Sequence, residues 1–379
     1  KTGRYHLPLE TEKNRITTPL MRKDGVLSPV SWEEALTSVV DSLKPLSGKE
    51  IGVAALASTR LPAEVLAAFK NLFTKTIKSD LVTCLDPWTT ESASGKFADA
   101  TGTPFESTLE SLNTADCVVV FGVDLVKEHE VAGFFVKRII SNNTPLVVID
   151  TEENELDLLA QYSMKPSQGM QLALLQNLVA EIKQPGSAST SEIDTARLSD
   201  AAQAIASSAH PVFIFGKETN PEVIKTFLDL VSKTKNGKVI GIKGNANSAA
   251  AAQYHLDQPL NLNGHQAAYV ALGDDEPTPD LLAALEKAPY LAVQASYHSA
   301  LTEHADVVFP VENWTEQEGH YLNMEGRLQK AQKSISSPEQ VWSNLAVIEG
   351  IASHMGAPMT VDWKEMLYQR TPINVIIEA

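Results

Sequence analysis

The 379-residue chain is poor in cysteine, with Cys84 and Cys117 its whole complement. Two thiols exclude a disulfide framework, and also an all-cysteine iron–sulfur cluster, which needs four thiolates. Its nine histidines show no i, i+4 pairing of the metal-ligand kind, so each reads as structural or superficial. No apolar run approaches the ~18 residues of a bilayer span, and no leader pattern stands at Lys1. Positive charge is in deficit, 31 Lys and Arg against 47 Asp and Glu, a net −16. Nucleic acid and anionic membrane would be repelled, which excludes both as direct partners.

What is present is ordinary globular chemistry, 43% hydrophobic and 21% charged, in a chain long enough for about two domains. Residues 1–30 read as an irregular basic lead-in punctuated by Pro8, Pro19 and Pro29. Ser31 caps a helix, with Glu34 completing a capping box ahead of apolar Ala35, Val39, Val40 and Leu43. A strand over 51–56 and an amphipathic helix over 62–76 follow. The alternation is then regular: strands 117–121, 146–150, 211–215 and 239–242, with helices near 128–141, 168–183, 195–208 and 221–234. Residues 185–191 form a small-residue connector expected to be exposed and mobile. Further elements fall at 266–272, 279–287, 290–294 and 305–309, with a closing helix near 338–354. Continuous apolar strands between helices imply parallel sheets covered on both faces.

The densest polar stretch is 304–329. Asp306 to Pro310 is a β-branched run that proline stops. Gly319 and Gly326 then bracket a turn that carries Asn323, Glu325 and Arg327. This wording, together with Gly3-Arg4-Tyr5-His6, Arg15-Ile16-Thr17-Thr18-Pro19-Leu20-Met21-Arg22 and Ser31-Trp32-Glu33-Glu34-Ala35-Leu36, resembles the molybdopterin oxidoreductase superfamily. That superfamily takes in formate dehydrogenases, nitrate reductases and the large iron–sulfur subunit of respiratory complex I. The resemblance implies an α/β fold of two Rossmann-like, doubly wound parallel-sheet domains. One would be assembled from residues 1–83 plus 244–379, and the other inserted over 84–243.

In active relatives a molybdenum or tungsten ion is held by two pterin-guanine dinucleotides and one protein ligand. Counting back from Phe121-Gly122 places that ligand within 84–91, with Trp88 at its position. An indole has no metal lone pair to offer; a small register shift would present Asp86 or Cys84 instead. Gly122-Val123-Asp124 matches the Gly-x-Asn turn whose amides approach a phosphate, and Asp150 stands where an acid would recognise a ribose or guanine. Relatives continue with a cation, whereas Thr151-Glu152-Glu153-Asn154-Glu155 follows here. Gly122 and Asp150 are equally legible as plain strand-end residues. Gly244-Asn245-Ala246-Asn247-Ser248-Ala249 resembles the complex I subunit, and Asn247 or Ser248 is placed to cap the helix that follows.

The resemblance therefore implies a non-catalytic scaffold subunit of an NADH-dehydrogenase-type redox complex, with other subunits as partners. Gly122, Asp124, Asp150, Asn247, Asn323 and Arg327 would be remnants of a cofactor wall. No cofactor or metal is expected in this chain; iron–sulfur clusters would lie upstream of Lys1 or on partner subunits, on the cytoplasmic or organelle-matrix side. The alternative is a catalytic formate-dehydrogenase-like subunit that binds a molybdopterin guanine dinucleotide.

Overall fold

The computed structural model describes residues 14–86, 93–103, 105–140, 143–188, 194–218 and 220–368. The Gly3–His6 segment and Trp88 lie outside them. In chain order the first strands are β1 (Leu20–Lys23), β2 (Val26–Pro29), β3 (Val53–Ala57) and β4 (Leu81–Cys84). Next come β5 (Cys117–Phe121), β6 (Leu146–Ile149), β7 (Tyr162–Met164), β8 (Pro211–Phe215) and β9 (Lys238–Gly241). The last are β10 (Ala267–Gly273), β11 (Leu291–Ala295), β12 (Val307–Pro310), β13 (Gly319–Leu322) and β14 (Leu328–Ala331).

The chain divides into two compact units. Among the described residues the first comprises 14–86, Gly244–Asn323 and 327–368, and its seven-stranded sheet has the order β2-β1-β12-β11-β10-β3-β4. From β12 to β4 every pairing is parallel, while β1 runs antiparallel to β12, with Leu20 opposite Val308. The apolar run of β3, Val53-Ala54-Ala55-Leu56-Ala57, is buried throughout, as a strand covered on both faces must be.

From the central β3/β10 pair the chain winds outward in both directions. Helix Ala63–Asn71 carries β3 to β4, and helix Pro279–Leu285 carries β10 to β11. Right-handed crossovers of opposite direction place these helices on opposite faces. Helix Asn344–His354 packs against Ala63–Asn71 and against Trp32–Leu43, whereas Pro279–Leu285 packs with Ala300–His304. The loops after β3 and β10 consequently part, leaving a crevice at the carboxyl ends of the strands, where doubly wound sheets take ligands.

The second unit, residues 93–243 with Met324–Gly326, holds the all-parallel sheet β7-β6-β5-β8-β9. Phe97, Phe121, Phe213, Phe215 and Phe227 interlock in its core. Its winding reverses between β5 and β8. There a side chain on Gly216 would strike the Gly122 carbonyl, so the two strand-end loops approach more closely than any other residue allows.

Several elements differ from the sequence reading. The lead-in is not irregular throughout, because Asp24 (φ 50°) and Gly25 (φ 83°) turn β1 into β2; Asp-Gly is a hairpin signal in its own right. The Ser31 capping box is present, with Glu34 N–H donating to Ser31 Oγ and Ser31 N–H to Glu34 Oε2. Helix 62–76 is α-helical over Ala63–Asn71 and becomes a π turn over Leu72–Thr76. Helix 128–141 breaks at His129 into Leu125–Glu128 and Glu130–Ile140. The closing helix starts only at Asn344, where Ser343 caps it. The 185–191 connector is tied down over Gly186–Ala188, whose three amides donate to the Glu181 carboxylate; residues 189–193 lie outside the described ones. Gly319 abuts Pro62, and within the second unit Gly326 lies on the Phe105 ring. No helix among the described residues is long and apolar enough to cross a membrane.

Candidate functional site

The crevice of the first unit opens into a cavity of about 700 Å³. The loops after β3 and β10 supply Thr59, Arg60, Asp275 and Glu276, the end of β4 supplies Asp86, and Trp314 and Tyr321 come from the stretch after β12. Ser58 Oγ donates to Asp275 Oδ2 at 2.5 Å, and the Arg60 guanidinium grips Asp274 through Nε and Nη2 at 3.1 and 3.2 Å. Tyr321 donates its hydroxyl to the Arg60 carbonyl. Burial, helped by the negative charges of Asp274 and Glu64, holds the Tyr321 phenol well above its ordinary pKa, so it stays a donor.

Of the alternative metal ligands, Cys84 is fully buried at the end of β4 and does not line this cavity, whereas Asp86 does. Asp86 is itself committed: Oδ2 accepts the Asn245 amide at 2.9 Å and the Ser248 hydroxyl. Asn247 is wholly buried, and its side chain does not cap the helix Ser248–Gln253. Its Nδ2 donates to the carbonyls of Leu61 and His320, both at 3.0 Å, and its Oδ1 accepts the Leu322 amide at 2.8 Å. Asn247 therefore fastens the β13–β14 hairpin to the loop after β3. Asn323 Oδ1 accepts the Arg327 amide at 2.8 Å and the Asn323 amide donates back to the Arg327 carbonyl, closing that hairpin.

The second unit brings Gly122, Asp124 and Asp150 to one strand-end cluster. Asp124 Oδ1 accepts the amides of Val126 and Lys127, and Oδ2 accepts that of Glu155. Burial raises this carboxyl, but the three amide hydrogen bonds and the Lys127 side chain outweigh it and hold its pKa below the ordinary 3.8. Asp150 accepts the Glu152 amide and the Asn154 side-chain amide, while Asn154 Nδ2 also reaches the Val123 carbonyl. The cluster is closed upon itself. Among the described residues no three His, Cys, Asp or Glu side chains are grouped to hold a metal.

Two contacts went unread as pairs in the sequence. Arg15 of the early motif donates to Glu316 of the late one at 2.5 Å, with side chains 18% and 6% exposed, and Arg15 also binds the carbonyls of Ser296 and Val311. His320 Nδ1 and its backbone amide both engage the Glu64 carboxylate. The first joins residues some 300 positions apart, and only the three-dimensional return of β12 beside β1 reveals it.

The chain is 30% identical over 183 residues to a subunit of NADH-quinone oxidoreductase from Rhizobium meliloti, covering 48% of this chain and 21% of that protein. It is 23% identical to the alpha subunit of F420-dependent formate dehydrogenase 1 of Methanococcus maripaludis, covering 93% of this chain and 64% of that one. The chain thus spans less than two thirds of either relative. Acetylene hydratase from Pelobacter acetylenicus superposes with a TM-score of 0.63 at 13% identity, over 92% of this chain and 62% of its own. A chain of the formyltransferase/hydrolase complex from Methylorubrum extorquens does so at 0.64 and 14% identity, over 89% and 98%. These likenesses establish the fold. The sequence pattern of the molybdopterin oxidoreductase family matches residues 15–353, and the chain belongs to that family.

Proposed function

We propose that the chain is a non-catalytic scaffold within a multi-subunit redox complex of the NADH-dehydrogenase type, built as two Rossmann-like halves and working on the cytoplasmic or matrix side. The observation that carries this reading is the Asp124 carboxylate. It fixes a negative charge at the turn after β5, accepting the amides of Val126, Lys127 and Glu155, where the Gly122–Asp124 turn would otherwise approach a diphosphate. A dinucleotide would have to displace a buried, hydrogen-bonded carboxylate and then face Glu152, Glu153 and Glu155. Like-charge approach in a partly desolvated cluster is unfavourable by a few kcal/mol. These residues do not fit a pterin-guanine dinucleotide, and Trp88 at the expected ligand position offers the metal no lone pair.

The second reading is a catalytic formate-dehydrogenase-like subunit, favoured by the match to the Methanococcus protein over 93% of this chain. Asp86 would then be the ligand to consider, since it lines the cavity of the first unit. Complementation separates the two. A strain that lacks the chain should fail to assemble its complex, and Asp86→Asn or Cys84→Ser should restore full turnover per assembled complex. Normal assembly with lost turnover in either variant would instead establish the catalytic reading.

A further inference from the structure

We propose that the outer face of helix Glu130–Ile140, in the second unit, docks a second copy of this chain, paired antiparallel about a two-fold axis at Phe134. The helix buries Ala132, Gly133 and Val136. Gly133 lies on the Leu125 carbonyl with no room for a side chain, which fixes the rotation of the helix and so the face it turns outward. An amphipathic helix seated in this way ordinarily shows polar residues to solvent. This one shows Val131 and Phe134, 66% and 60% exposed.

The apolar surface extends beyond the helix. In the order β7-β6-β5 the steps from β5 to β6 and from β6 to β7 run in one direction, so right-handed crossovers bring the helix and residues 154–160 to the same face of the sheet. Lys137 and Ile140 accordingly line one cavity with Leu159 and Ala160. Leu158 and Leu159, 97% and 50% exposed, add to the patch. A contiguous apolar surface of this kind marks an interaction site.

The charges choose the occupant. Glu130, Phe134 and Lys137 stand at i, i+4 and i+7, on one stripe of the helix, and all three are exposed. Arg138, next to Lys137, is turned to Asn113 and to the Phe135 ring. Laid antiparallel on its own copy with the two phenylalanines in contact, the stripe sets Glu130 of each copy opposite Lys137 of the other. A face that is acidic at one end, basic at the other and apolar between is its own complement, which is what an isologous two-fold interface requires.

Sedimentation velocity of the purified full chain, over about 1–100 µM, tests this. The chain should pass from monomer to dimer within that range. Phe134→Gln should raise the dimer dissociation constant about tenfold or more. Glu130→Lys and Lys137→Glu should each raise it about fivefold, because each sets like charges face to face twice, and the double variant should return to within about twofold of the native chain. Melting temperatures should not change, since all three side chains are exposed. A chain that stays monomeric, whatever partner then covers the patch, a dimer untouched by Phe134→Gln, or a double variant no tighter than the single ones would overturn the proposal.

Discussion

At the scale of single residues, several positions of the family wording are tied into internal bonding. Asp124 and Asn247, read as parts of a cofactor wall, and Asp86, read as an alternative metal ligand, each accept hydrogen bonds from, or donate them to, neighbouring backbone or hydroxyl groups. The Arg15–Glu316 pair does the same between the two signatures. Removing one partner of a buried, hydrogen-bonded pair leaves a charge uncompensated, so Arg15→Ala should lower unfolding stability by about 3 kcal/mol in urea titrations. Asn247→Ala deletes three hydrogen bonds at a wholly buried position and should cost a comparable amount, about 3 kcal/mol.

His129 gives a pH signature. Burial, assisted by the charge of Lys217 and opposed by that of Glu128, lowers its pKa from 6.5 to about 4. The unfolded chain therefore takes up this proton first as pH falls. The contribution of His129 to stability is full above about 6.5 and declines between 6.5 and 4, by up to about 3 kcal/mol. Urea midpoints across that window should slope downward toward acid in the native chain, and His129→Gln should flatten the slope. An equal slope in both proteins would show that other groups set the acid response.

Among the secondary elements, the inserted sheet was the most legible. Runs such as Cys117-Val118-Val119-Val120-Phe121 are apolar end to end, and their short length, β-branched content and alternation with helices mark them as buried parallel strands. Boundaries were less readable where a single residue decides them, as at His129 or Ser343. The β1–β2 hairpin and the β13–β14 hairpin were hidden inside polar stretches, because their pairing depends on turn conformation and not on apolar periodicity. The glycines of the late signature were read as bracketing a turn, and Gly319 additionally lets the hairpin approach Pro62 closely. Gly319→Ala should push the β13–β14 hairpin off helix Ala63–Asn71 and cost about 2 kcal/mol or more, readable as faster amide exchange across residues 319–331. Apart from Asp86, the cavity chemistry was not legible: Arg60 and Asp274 are far apart in sequence and meet because β3 and β10 are neighbours, and Trp314, after β12, joins them through its amide, which donates to Asp274.

For the whole molecule, we propose that a molybdopterin oxidoreductase fold persists here with its cofactor surfaces closed. The net charge of −16, the acidic run after Asp150 and the amide-bound Asp124 all oppose an anionic dinucleotide. The most direct test is elemental and pterin analysis of the native complex, resolved so that metal and nucleotide can be assigned to this chain. Neither molybdenum nor tungsten, and no guanine dinucleotide, should travel with this chain. A near-stoichiometric metal with its pterin on this chain would contradict the scaffold reading and place the chain with the catalytic members of the family.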